Sequence, residues 1–184
     1  MQTIIVTDIF GKSNALIALA KALNVTQIID PYDGLDMRFK NEPEAYCYFS
    51  EQIGLDRYLQ KAIECLSQSS DRVLLIGFSI GASVIWRLSE LPTLKQIKQT
   101  LCFYGSQIRH YTDINPVFDI ELIFPSSESH YDVTSLTTTL ANKSHVNSYQ
   151  VNNLHGFMNA HSDNYHDLAY QNQIKRLRFF VEGS

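Results

Sequence analysis

The segment that most restricts this chain is Arg72-Val73-Leu74-Leu75-Ile76, which runs into Gly77-Phe78-Ser79-Ile80-Gly81 and then into Ala82-Ser83-Val84-Ile85-Trp86-Arg87-Leu88. A continuous apolar run suits a strand covered on both faces, and the residues after the turn suit a helix. No polar linker separates the two, so the chain must pass from strand to helix in one pinched turn. In a G-x-S-x-G elbow the serine takes a strained backbone conformation at the top of a sheet. Glycines on either side let strand and helix approach without Cβ clashes. The Ser79 hydroxyl is thereby predicted to stand exposed, with a helix N-terminus beneath it. A plain glycine-rich turn would read the same way, so the rest of the chain decides between them.

Strand and helix keep alternating on both sides of the elbow. Thr3 to Thr7 reads as a first strand, with Ser13 as the N-cap of a helix that puts Leu16, Leu19, Ala20 and Leu23 on one face. Gln27 to Asp30 reads as a second strand, and Pro31 to Pro43 as a Pro/Gly-punctuated loop. Leu55, Leu59, Ala62, Ile63 and Leu66 recur at helical spacing before the elbow strand. Thr100 to Tyr104, Ile120 to Phe124 and His145 to Val151 suit further strands, with a short helix over Val133 to Ala141. A closing helix aligns Tyr170, Ile174, Leu177 and Val181 in a buried stripe and turns Lys175, Arg176 and Arg178 to the other side. The expected architecture is α/β, with about six mostly parallel strands and helices on both faces. Residues 1–184 suit one domain, large enough to bury a core.

Charge and cysteine usage exclude several function classes. The net charge is −4 and the basic residues are scattered, which argues against a nucleic-acid partner. The N-terminus reaches Asp8 too soon for a signal-peptide core, and no apolar run approaches a membrane span, so a cytoplasmic protein without membrane attachment is expected. Cys47, Cys65 and Cys102 are odd in number and lack a C-x-x-C pair. They are expected to be small buried hydrophobes in a reducing compartment. His161 and His166 are wrongly spaced for two ligands on one helical face, so no metal is expected, and no cofactor either. Gly11-Lys12-Ser13 invites a phosphate-loop reading, but the position that would need the loop's first glycine is Val6, inside a strand.

Open parallel sheets place their chemistry at the carboxyl ends of the strands. There the chain carries Asp8-Ile9-Phe10-Gly11, Ser79, Glu128 with Asp132, and His155-Gly156-Phe157. A hydrolytic serine needs a base, and the base needs an acid to fix its tautomer. The order Ser79, Glu128, His155 is the nucleophile, acid, histidine order of α/β-hydrolases, with Asp132 as the alternative acid. An oxyanion hole would draw on the backbone N–H groups of Ile9 and Ile80. Asp8, Phe10, Phe78, Tyr104 and Phe157 flank these strand ends and are expected to line the substrate pocket, and His130 lies close enough to the acid loop to join them.

Several segments together resemble the dienelactone hydrolase family. Ile4 to Gly11 is similar to its first strand and turn, Asp30-Pro31-Tyr32 to its PD-x-Y, and Phe103-Tyr104-Gly105 to its Tyr-Tyr-Gly. His155-Gly156-Phe157-Met158-Asn159 resembles its His-x-Phe-x-Asn, followed by a long closing helix. The resemblance runs through almost the whole chain and implies a compact α/β-hydrolase without a lid domain. It implies Ser79 as nucleophile where the prototype has cysteine, His155 as base, and an acid at the place of Glu128. Asp8 stands where the prototype has a glutamate beside its thiol, and Asn159 where it has a substrate-binding arginine. The implied substrate is a small carboxylic ester, lactone or thioester. The alternative is a hydrolase-fold binding or regulatory protein with little activity.

Overall fold

Strand and helix alternate throughout the computed structural model, which describes residues 1–69 and 71–183. The strands are β1 (Gln2–Val6), β2 (Gln27–Ile29), β3 (Val73–Phe78), β4 (Ile97–Phe103), β5 (Asp119–Phe124) and β6 (Val146–Gln150). The helices are α1 (Asn14–Ala22), α2 (Glu42–Tyr48), α3 (Gly54–Ser67), α4 (Ile80–Leu88), α5 (Val133–Ala141) and α6 (Asp167–Glu182). A π-helical turn, Phe49–Ile53, joins α2 to α3, and a 3-10 segment, Ser106–His110, follows β4. The sheet order is β2-β1-β3-β4-β5-β6, and every neighbouring pair is parallel. The order reverses between β1 and β3, which opens a crevice at their carboxyl ends.

Alternation along the strands divides the core. Ile4, Val6, Leu75, Cys102 and Leu122 face a layer built from α2, α3, α4 and α5, whereas Ile5, Leu74, Ile76, Phe78 and Phe103 face α1 and α6. With both faces covered, all six residues of β3 are buried, which explains its unbroken apolar run. Ser13 caps α1 by accepting the Leu16 N–H, as its position before the helix suggests. Among the described residues no helix is long and apolar enough to cross a membrane.

Three local expectations are corrected. The loop over 31–43 ends early, because Asn41 caps α2 and Pro43 sits in its first turn, where a missing N–H costs nothing. Arg176, expected on the side of α6 away from the buried stripe, instead reaches the sheet: its guanidinium pairs with Glu121 of β5 and lies 5.6 Å from the Tyr149 ring centre. Of the cysteines, Cys102 is buried, but Cys65 is half-buried and Cys47 is exposed, its thiol donating to Glu51.

Candidate active site

Ser79 follows β3 and caps α4 with φ 50° and ψ −112°, the left-handed strain of an elbow. The flanking glycines are required by contact rather than by φ. A Cβ on Gly81 would stand 2.2 Å from the Val6 carbonyl oxygen, and one on Gly77 would stand 2.8 Å from the Ala82 Cα. The Ser79 N–H donates to the Phe103 carbonyl at 2.9 Å, tying the elbow to β4. The backbone thus presents the serine to the crevice.

His155 follows β6, on the loop before α6, and its imidazole connects two side chains. Nε2 lies 3.0 Å from the Ser79 Oγ, and Nδ1 lies 2.7 Å from the Glu128 Oε1. With the carboxylate ionised, Nδ1 carries the proton and donates it, which leaves Nε2 to accept from the serine hydroxyl. The histidine and glutamate side chains are only 19% and 13% exposed. Asp132 does not approach the imidazole. It is the N-cap of α5 and accepts the Ser135 N–H at 3.1 Å. The acid loop is pinned to the histidine loop by the Ser126 N–H, which donates to the Asn153 carbonyl at 2.8 Å.

The loop after β1 carries Ile9, and two motif residues fix it from opposite sides. The buried Tyr32 hydroxyl donates to the Ile9 carbonyl at 2.7 Å, while Asp30 accepts the Tyr32 N–H at 2.8 Å. Asn159 donates through Nδ2 to the Asp8 Oδ2 at 2.6 Å, and the Asp8 Oδ1 accepts the Phe10 N–H at 2.9 Å. Burial pushes the Asp8 carboxyl up to about 6, although the Phe10 N–H and the His155 charge oppose the shift. Ile80 opens α4, so its N–H has no acceptor within the helix.

Ser79, Ile9, Ile80, Glu128 and His155 share a cavity of about 370 Å³, and His130 lines it too. The expected pocket residues do not. Asp8, Phe78 and Tyr104 border a different cavity on the α1 and α6 side. Phe157 is fully buried beneath Tyr104, and Phe10 is buried against the His161 ring, 5.1 Å between centres. The sequence reading missed Glu42 and Tyr46 of α2, Arg109 of the 3-10 segment, and Tyr131, all of which line the Ser79 cavity. The helix-start pattern Asn41-Glu42-Pro43-Glu44 was a readable sign for the first two. Arg109 stacks over the Tyr131 ring, 5.3 Å to its centre, and no local pattern predicts that pairing. His166 caps α6 through Nδ1, and no metal-binding cluster exists among the described residues.

A sequence model described as the dienelactone hydrolase family matches residues 4–182. Uncharacterized protein YczH of Bacillus subtilis (strain 168) is 28% identical over 171 residues, covering 86% of this chain and 81% of the relative. Among solved structures, a Klebsiella pneumoniae protein assigned as a dienelactone hydrolase superposes with TM-score 0.76 at 15% identity, over 99% of this chain and 86% of the other. Est1E from Butyrivibrio proteoclasticus gives TM-score 0.63 at 9% identity, over 99% and 87%. At such identities the two structures speak for the fold alone.

Proposed function

Because the chain belongs to the dienelactone hydrolase family, we propose that it hydrolyses a small carboxylic ester, lactone or thioester through an acyl-enzyme on Ser79. The observation that carries this reading is the continuous hydrogen-bonded chain from the Ser79 Oγ through His155 to Glu128. In the first half-reaction the Oγ bonds to the substrate carbonyl carbon as its proton passes to the His155 Nε2. The carbonyl oxygen becomes an alkoxide facing the Ile9 and Ile80 N–H groups, the oxyanion donors of this proposal. Its collapse breaks the bond to the leaving group, which takes the proton from His155. Water then repeats the sequence at the acyl carbon, again deprotonated by His155, and restores the serine. Glu128 keeps the imidazole in the tautomer that accepts from serine and balances the imidazolium.

A cavity of about 370 Å³ is at the small end for ligand sites. That size favours short acyl groups. The alternative of an inactive binding protein drew on Glu in place of Asp as the acid, and the 2.7 Å contact of Glu128 with His155 supports catalysis over it. A fluorophosphonate probe tests the reading: the folded protein should be labelled, and Ser79→Ala should not. A native protein that never reacts with the probe and turns over none of a panel of acetate, butyrate, lactone and thioester substrates would overturn it.

A further inference from the structure

The bond-making steps at Ser79 touch neither of two deeply set polar groups, the Asp8 carboxylate and the Tyr104 hydroxyl. Both residues border a second cavity, about 240 Å³, between α1, the ends of β1 and β4, and the loop that follows His155. No residue lines both this cavity and the one that holds Ser79. Tyr104 stands on one side and His155 on the other, their ring centres 4.9 Å apart.

Asp8 is incompletely matched. It accepts one hydrogen bond at each oxygen, from Phe10 and from Asn159, where an ionised carboxylate has sites for about four. It forms no ion pair among the described residues. His155 and Glu42 are the charged groups that act on it, with opposite influence, and the phenols of Tyr32, Tyr58 and Tyr104 lie within reach of its charge. Its surface stays accessible, despite its depth, where it meets the cavity. The Tyr104 hydroxyl lies beside the Met158 amide yet closes no hydrogen bond. Phe78, Tyr104, Tyr165 and Tyr170 present aromatic rings to the same space, and Leu16, Leu19 and Met158 supply aliphatic surface.

We propose that this cavity binds a small organic ammonium ion, a primary amine on a compact apolar body, with its nitrogen against Asp8 and its body among the aromatic rings. An anion would meet the Asp8 charge at the cavity wall. An uncharged molecule would fill the apolar space but leave the carboxylate unbalanced. An ammonium brings the missing charge and up to about three donors, and aromatic faces attract cations. Binding there requires no reaction at Ser79.

The test uses benzylamine at pH 8, with benzyl alcohol and benzoate as probes of the same shape, titrated by NMR into three forms of the full-length protein. These are the wild type, the wild type with Ser79 blocked by a fluorophosphonate, and Asp8→Asn. The amine should bind both wild-type forms alike, about tenfold or more tightly than the alcohol, while benzoate should not bind. Asp8→Asn should remove the amine's advantage, and Leu16→Trp, which fills the cavity, should weaken amine and alcohol together. Equal binding of amine and alcohol, or no amine binding at millimolar concentration, would overturn the proposal. So would amine binding lost on blocking Ser79, which would place the ligand in the catalytic cavity. Because the blocked protein is itself made by the probe reaction, absence of labelling would count against the hydrolase reading and leave the amine titration to be read separately.

Discussion

Replacing Asp8 by asparagine should make the protein more stable at neutral pH. Burial raises this carboxyl from 3.8 to about 6 in the folded chain. Below the unfolded value both states hold the proton, and the charge costs nothing. As pH rises from about 4 to about 6 the unfolded chain releases the proton while the folded one keeps it, so stability falls through that window and the deficit persists above it. A displacement of about two units corresponds to roughly 3 kcal/mol at 1.36 kcal/mol per unit, an upper figure because Asp8 retains some accessible surface. The substituted side chain would still accept the Phe10 N–H but would oppose its amide to that of Asn159, a loss that does not depend on pH. Urea denaturation of both proteins between pH 4 and pH 8 separates the two effects. The variant should gain on the wild type by about 2 to 3 kcal/mol over that interval. A difference that stays flat, or that narrows as pH rises, would refute the assignment of a desolvated, unpaired charge at Asp8.

Glu128→Gln should lower kcat by about 10⁴-fold with little effect on folding, because the amide can hold the wrong imidazole tautomer. Asp132→Ala should leave kcat intact while costing about 1 kcal/mol in a melt, the worth of an N-cap; the opposite pattern would exchange the two acids. Tyr32→Phe leaves the Ile9 carbonyl without its 2.7 Å partner, and should reduce kcat about tenfold at unchanged KM as the loop after β1 loosens. A change in KM alone would dissociate Tyr32 from the oxyanion donor. Gly81→Ala places a methyl group 2.2 Å and 2.4 Å from two backbone oxygens of β1 and the residue after it, and should cost more than about 3 kcal/mol, read as loss of the cooperative melt.

The sheet was legible because parallel strands buried on both faces keep their apolar runs whatever surrounds them: β3 and the Val133–Ala141 helix stand where the sequence puts them. The sequence put Glu128 first as the acid and kept Asp132 as the alternative, since the spacing leaves open which side chain the loop turns toward His155; in the fold it is Glu128. The expected pocket residues divide between two cavities and the core for a related reason. Proximity to a strand end says nothing about which face of the sheet a residue joins, and the backbone alternation sends Phe78 to the α1 and α6 layer while Ser79, one residue on, faces the opposite cavity. Arg109 and Tyr131 meet across a gap of 22 positions, a pairing that only the packed chain reveals.

Two of the motifs that resemble the family pattern, Asp30-Pro31-Tyr32 and His155-Gly156-Phe157-Met158-Asn159, have one structural meaning in common. Each ends in a side chain that fastens the loop after β1, Tyr32 at the Ile9 carbonyl and Asn159 at the Asp8 carboxylate. The same short loop therefore takes its position from β2 on one side and from the histidine loop on the other. A shift of the His155 loop would pull on Asp8 through this hydrogen bond, and so on the peptide plane that carries the Ile9 N–H. In the proposed mechanism the base and the oxyanion donor must meet one substrate carbonyl at the same time, and tolerances there are about 0.5 Å. In that mechanism the Asp8 carboxylate, bonded to the residue four positions after the base, would be the tie that keeps those two groups in register.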